Sequence, residues 1–159
     1  MNKPLDPETN VLRTLLVDAP PEVIWKALTD PDITRLYTST DISLGLKAGQ
    51  PVQWFSREED KTRKVVAKGT VLALIPNVRL RYTNYEVGGG LPDEPASHTT
   101  VDLHLVPEAD GRTRVELWEG DFAGLPQAIK RAREAGKVWV ESLVGLKRES
   151  EERARLLAA

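Results

Sequence analysis

The sequence predicts an α+β fold: a curved, seven-stranded antiparallel sheet wrapped around a long C-terminal helix, with two short helices after strand 1. Short strand-like segments joined by turn residues follow one another between residues 40 and 119, which indicates a meander. Apolar residues recur at helical spacing between residues 125 and 157. Because one helix cannot shield both faces of so wide a sheet, we expect the sheet to curve, with its apolar face inside.

The first strand and the two short helices are predicted within residues 11–37. Residues 11–18, VLRTLLVD, are short and rich in β-branched residues and leucine, as a strand requires. Asp18 is placed to cap a helix whose first turn contains one of the prolines 20 and 21. Asp30 and Pro31 end this helix, and the second is expected over residues 32–37.

Trp25, within the first predicted helix, could contact a ligand or fill the core. Large aromatic side chains bury much area and dominate small cores. We interpret Trp25 as a structural residue packed between this helix and the sheet.

Six further strands are predicted in the middle of the chain. Asp110-Gly111 between the last two is a strong hairpin signal. Alternation assigns one face of the fifth of these strands to Thr99, Val101, Leu103 and Leu105, which we expect to point inward. The six segments are residues 41–46, 51–56, 63–75, 77–87, 97–108 and 112–120.

The last segment, residues 125–157, is predicted to be one long helix. Its apolar stripe has steps of three or four residues and consists of Ile129, Ala132, Gly136, Trp139, Leu143 and Leu146. No internal repeat and no linker divides the chain, so we expect a single domain over residues 1–159.

Composition excludes several classes of function. The net charge of −2 gives no reason to expect a nucleic-acid partner. The absence of cysteine excludes disulfides, thiol catalysis and thiolate metal sites. The first residues lack the apolar stretch of a secretory signal, and no apolar run approaches the roughly 20 residues of a membrane span. We therefore expect a cytoplasmic protein with no membrane span and no cofactor.

Several local motifs resemble one superfamily, the START and Bet v 1-like (SRPBCC) helix-grip proteins. The similar stretches are DAPPEVIWKALTDPD at 18–32, KGTVLALIPNVRLRYT at 68–83 and TRVELWEGDF at 113–122, followed by a C-terminal helix containing Trp139. More narrowly, they resemble the branch that includes the C-terminal domain of the activator of Hsp90 ATPase. The resemblance covers residues 11–150. It implies the helix-grip fold, whose members include lipid carriers, cyclases, hydrolases, hormone receptors and co-chaperone domains.

Two positions depart from the pattern of this family. Its members often have tryptophan where Leu36 or Tyr37 stands, and an acidic residue where Ala73 stands. Where that acid lines the pocket of relatives, this chain has lost a charge. The resemblance also implies that the loop at Gly88–Gly90 overhangs the mouth of a cavity. The glycines are equally consistent with a flexible connecting loop that has no role at the cavity.

The residues that could carry catalysis or bind a metal do not form a recognisable site. The two histidines, His98 and His104, are too far apart along a strand to ligate one ion, and we expect them on the polar outer face. No serine stands in a nucleophile-elbow motif. The alternating charges of residues 57–61 favour a solvated hairpin end over a cation site. We predict no catalytic residue and no metal.

The predicted site is a cavity between the sheet and the C-terminal helix. Pockets of this kind have mostly apolar walls with a few placed polar groups. We expect Asn84 and the hydroxyl of Tyr82 to supply the polar groups. The complete set of predicted ligand-binding residues is Trp54, Leu80, Tyr82, Asn84, Val101, Leu103, Leu117, Trp139 and Leu143.

Three functions are compatible with these observations. The first is a carrier or sensor whose partner is a small hydrophobic or aromatic ligand, and it requires only the cavity. The second is a cyclase-like or hydrolase-like enzyme, for which Glu119 and Asp121 are the nearest acid–base candidates. The third is a co-chaperone-like interaction domain, and a homodimer is left open. We favour the first because it needs no group that the sequence lacks.

Overall fold

A computed structural model describes residues 4–58, 60 and 62–159. Glu59 and Lys61, in the predicted hairpin end, therefore lie outside the described residues. The elements are β1 Val11–Val17, α1 Pro21–Thr29, α2 Pro31–Thr34, β2 Thr40–Leu44, β3 Pro51–Ser56, β4 Val65–Ile75, β5 Arg79–Glu86, a 3-10 turn Pro95–Ser97, β6 Thr99–Pro107, β7 Thr113–Gly120 and α3 Ala128–Ala158. No described helix is long and apolar enough to cross a membrane.

The seven strands form one curved antiparallel sheet in the order β1-β7-β6-β5-β4-β3-β2. The predicted α+β helix-grip fold is confirmed, because β2 to β7 form a meander and β1 joins its end beside β7. Register shifts in the β3–β4 pairing, between Trp54 and Phe55, and in the β4–β5 pairing, between Val71 and Ala73, mark irregularities that bend strands.

Burial confirms the predicted inward face of the sheet. Val101, Leu103 and Leu105 of β6 are each at most 3% exposed. Val115 and Leu117 of β7 are buried in the same alternating pattern, whereas the residues between them reach solvent. One face therefore forms the core, and the other carries charged residues.

The N-terminal helices begin differently from the prediction. Pro20, not Asp18, is the N-cap of α1, and its side chain makes no capping hydrogen bond. The backbone N–H of Asp18 instead donates to the Glu151 carboxylate of α3 at 2.8 Å. Asp30 ends α1 and caps α2, since its carboxylate accepts from Asp32 N–H at 2.9 Å. α2 ends at Thr34, earlier than expected.

The buried anchor of α1 is Ile24, which is 0% exposed. Trp25 is only partly buried and packs against the margin of the core. Ile24, and not Trp25, is therefore the fully buried side chain of α1, because a helix turns each successive side chain by about 100°. The structural interpretation of Trp25 stays compatible with the fold, since Trp25 contacts the core cluster.

Helix α3 begins three residues later than predicted, since its N-cap Gln127 has a left-handed φ of 54°. Ile129, included in the predicted stripe, is 41% exposed, whereas Ala132, Leu143 and Leu146 are buried as expected. α3 packs chiefly on α1 and β1.

Gly145 of α3 allows close approach of Tyr37. A Cβ at this position would overlap Tyr37 Cβ and lie 2.9 Å from Tyr37 Cγ and Cδ2. Since Tyr37 Cβ is held by its own backbone, Gly145→Ala is expected to destabilise the protein by about 1–3 kcal/mol despite the better helix propensity of alanine. Denaturant unfolding measures the difference.

Gly136→Ala is the matched control on the same helix. A Cβ there would lie 2.8 Å from the Arg13 guanidinium, the far end of a flexible side chain that can move away. This substitution is expected to be neutral or stabilising. Equal destabilisation by both substitutions would contradict the role given to Tyr37.

Candidate functional site: a cavity between sheet and helix

A cavity of about 740 Å³ lies between the concave face of the sheet and α3. Strands β3, β5, β6 and β7 contribute to its wall, as do α2, α3 and the loop after β5. Eight of the nine predicted residues line it: Trp54, Leu80, Tyr82, Asn84, Val101, Leu103, Trp139 and Leu143. Leu117 does not line the cavity, although it is inward-facing and only 2% exposed, because it packs within the core.

The wall of the cavity is rich in aromatic side chains. Six of the nine aromatic residues of the chain line it. The rings of Trp54 and Tyr82 have centroids 5.2 Å apart and are tilted by 46°, a favourable geometry for an aromatic pair. The six are Tyr37, Trp54, Tyr82, Tyr85, Phe122 and Trp139.

One carboxyl group, that of Glu119 on β7, lies in this aromatic wall and is only 5% exposed. Its two oxygens accept hydrogen bonds from Thr99 Oγ1 at 2.7 Å and from Trp139 Nε1 at 2.8 Å. Burial raises the pKa of Glu119, hydrogen bonds from Thr99, Trp139 and Asn84 oppose this effect, and the charge of Glu86 adds to it. The carboxyl group thus joins β6, β7 and α3 at the cavity wall.

The Tyr82 hydroxyl is a second polar group in the cavity wall. Tyr82 is 5% exposed, and its hydroxyl makes no hydrogen bond within the part of the chain that the structure describes. Burial, followed by the nearby Glu119 charge, raises its pKa. Tyr37 differs, because its hydroxyl donates to the Ala27 carbonyl at 2.7 Å. Tyr82 is therefore available to a molecule in the cavity.

The cavity reaches the surface between the loop after β5 and α3. Val87 of that loop is 47% exposed and Val138 of α3 is 61% exposed, and both line the cavity. Arg131 links the two sides, since its guanidinium donates to the Gly89 carbonyl at 3.0 Å. The glycine loop thus borders the opening, since Gly88 and Gly89 line the cavity.

Neither histidine lines the cavity. His104 is exposed on the outer side of β6. His98 precedes β6 and stacks on Tyr85, with ring centroids 5.3 Å apart, and its Nε2 is 3.9 Å from an Asp93 oxygen. The described residues contain no group of three or more His, Asp or Glu side chains suited to a metal ion.

Glu119 is an acid–base candidate from the sequence, but it is not among the predicted ligand-binding residues. The signal was present, because Thr113, Val115 and Leu117 alternate toward the core and the next inward position is 119. A charged residue at an inward position contradicts the apolar pattern and marks a functional candidate.

Comparison with protein families shows to which family the chain belongs. The family model described as Activator of Hsp90 ATPase homolog 1-like protein matches residues 18–151. The chain belongs to this family. The predicted branch of the SRPBCC superfamily is thereby confirmed. A comparison of this chain with curated proteins found no significant match.

Solved structures share the fold of this family member. ChR145 from Cytophaga hutchinsonii is 25% identical, with complete coverage of both chains and a TM-score of 0.72. The Aha1 dimer from Colwellia psychrerythraea is 20% identical over 89% of this chain and 96% of that one, with a TM-score of 0.67. CalU16 from Micromonospora echinospora is 22% identical over 94% and 85%, with a TM-score of 0.65.

Proposed function

We propose that the protein binds a small hydrophobic or aromatic molecule in the cavity between sheet and α3, as a carrier or sensor. The observation that carries this proposal is the 740 Å³ cavity itself, which falls within the usual range for ligand sites. Its aromatic wall offers stacking surface, and polar side chains such as Asn84 and Thr99 lie between the apolar ones. Fold alone supports no choice among the functions of this superfamily.

The arrangement of polar groups supports binding of a ligand with one polar end. Glu119 and Tyr82 lie within the wall of a mostly apolar cavity, and Asn84 follows Tyr82 on the same inward face of β5. Such isolated groups orient a ligand, whereas the apolar wall supplies most of the affinity. The polar end of a bound ligand therefore contacts Glu119, Tyr82 and Asn84.

Thermal unfolding in the presence of apolar and aromatic compounds tests the proposal. A compound that binds only the native state stabilises it by about 2.7 kcal/mol at roughly one hundred times its Kd, so the melting temperature must rise. Ala135→Phe, which fills the cavity from α3, should abolish the rise. Lys137→Phe, on the exposed side of the same helix, is the control. An unchanged rise with Ala135→Phe would place binding elsewhere.

Glu119 favours a second candidate, an acid–base enzyme in the same cavity. A carboxyl group with a raised pKa can exchange protons with a bound carbonyl compound, and the Tyr82 hydroxyl can donate to its oxygen. Solvent deuterium exchange at the methyl group of acetylnaphthalene, followed by NMR, tests this activity. Exchange that is accelerated by the protein and lost in Glu119→Gln supports it. Exchange at the uncatalysed rate contradicts it for this class of substrate.

A further inference from the structure

We infer that the polar end of the ligand is an amine, bound as an ammonium group by Glu119 inside the aromatic cavity; this inference rests on the proposed binding function. Glu119 is buried at the cavity wall and has no cationic partner among the hydrogen bonds and ion pairs of the described residues. Its donors are the neutral side chains of Thr99 and Trp139, with Asn84 as a further neutral donor nearby. A ligand cation would supply the missing opposite charge.

The neutral donors leave room for a further hydrogen bond. Thr99 and Trp139 each donate one hydrogen bond to Glu119, the Asn84 side chain is a third neutral donor nearby, and a carboxylate has about four acceptor positions in total. Thr99 and Trp139 hold the carboxyl group from β6 and from α3, so that its orientation is fixed before a ligand arrives. A fixed acceptor with unused positions suits a charged donor, since charge-assisted hydrogen bonds are the strong ones.

The aromatic residues around the carboxyl group fit the same ligand. Trp139 contacts Glu119 directly, and Tyr82 lines the cavity with an unpartnered hydroxyl. The faces of tryptophan and tyrosine attract cations, and sites for ammonium groups are commonly built from such rings. The ring faces and the Glu119 carboxylate would instead repel an anionic group.

The charged residues that line the cavity also favour a cationic ligand. Five charged residues line the cavity: Glu86, Glu119, Glu134, Glu141 and Arg131. Four of them are acidic, and the guanidinium of Arg131 already donates to the carbonyls of Pro126 and Gly89. The three acidic residues other than Glu119 are exposed, so they attract a cation toward the opening at low ionic strength.

Three probes of equal ring size separate this inference from the proposed function. They are anthracenemethylamine, anthracenemethanol and anthracenecarboxylate, and their binding is measured by quenching of tryptophan fluorescence, since Trp54 and Trp139 line the cavity. The amine is expected to bind about tenfold or more tightly than the alcohol, as one charge-assisted hydrogen bond allows. The carboxylate is expected to bind most weakly.

Variants then identify the residue that is responsible for the preference for the amine over the alcohol. Glu119→Gln should remove the advantage of the amine, so that the amine and the alcohol bind with similar affinity. Glu141→Gln removes an acidic residue from the opening, and should leave most of the amine preference. Melting temperatures verify that both variants are folded, and the ranking of probes on the unaltered protein tests the inference without any variant.

Each outcome has a distinct meaning. Tight binding of the alcohol or the carboxylate without preference for the amine overturns the inference and leaves the proposed function standing. An amine preference that survives in Glu119→Gln assigns it to other residues and also overturns the inference. Failure of all three probes to bind counts against the proposed function, and the inference falls with it.

Discussion

Ile24→Ala is expected to destabilise the protein by about 2–5 kcal/mol, which is a large part of the stability of a typical domain. Ile24 is fully buried between α1 and the rest of the core. Truncation removes its apolar contacts and leaves a space that close-packed neighbours fill only in part. Denaturant unfolding followed by circular dichroism gives the free energy without relying on tryptophan.

Trp25→Ala is the informative comparison because Trp25 is the larger side chain and the adjacent residue. Trp25 is only partly buried, so its truncation should cost less than the ~3–5 kcal/mol of a fully buried tryptophan, and less than Ile24→Ala. A greater loss with Trp25→Ala than with Ile24→Ala would show that the tryptophan is the anchor of α1. That result would restore the assignment made from sequence.

The sheet could be predicted from sequence because its signal is local and repeated. Alternation along Thr99 to Leu105 fixes which side chains point inward, and each short turn fixes the direction of the next strand. An inward face that is apolar on several strands leaves one register that buries it. This register determines which strand side chains face the cavity. Most of the strand residues predicted to line the cavity therefore do so.

The helix ends and the interior of the cavity could not be predicted as well. Asp18 and Pro20 both have the chemistry of a helix start, and the choice depends on Glu151, a residue 133 positions away that binds the Asp18 backbone. Whether an inward residue lines a cavity or packs in the core depends on distances between elements. Leu117 and Leu103 are opposite each other on neighbouring strands, yet only Leu103 lines the cavity.

Tyr37 shows how a long-range contact shapes the site. It follows α2, and its ring packs against Gly145 of α3 while its hydroxyl binds the Ala27 carbonyl. The sequence marked position 37 only as a departure from the family pattern. Its place in the cavity wall depends on the small residue opposite, which no local pattern around Tyr37 reveals.

At a pH below 4.5, the ordinary pKa of glutamate, Glu119→Ala is expected to destabilise the protein by about 2–5 kcal/mol. The substitution leaves two buried donors without an acceptor. These donors are the Thr99 hydroxyl and the Trp139 indole N–H. Glu119→Gln should retain most of the stability. Its amide oxygen can accept from Trp139, and its NH₂ group can donate to Thr99 Oγ1, which is able to accept. Equal stability of the two variants would contradict this role.

The dependence on pH separates the charge of Glu119 from its hydrogen bonds. Burial raises its pKa in the folded protein above the unfolded value, so the folded state holds the proton more tightly. The stability that the neutral form contributes is complete below the unfolded pKa and is lost as pH rises through the folded pKa. The difference in unfolding free energy between the unaltered protein and Glu119→Gln should therefore decline as pH increases from 4.5. Glu116→Gln, on the outer face of β7, measures the background effect of removing a carboxylate from the same strand. A difference that stays constant or grows with pH would show that the folded protein favours the carboxylate form, with the Thr99 and Trp139 hydrogen bonds outweighing burial.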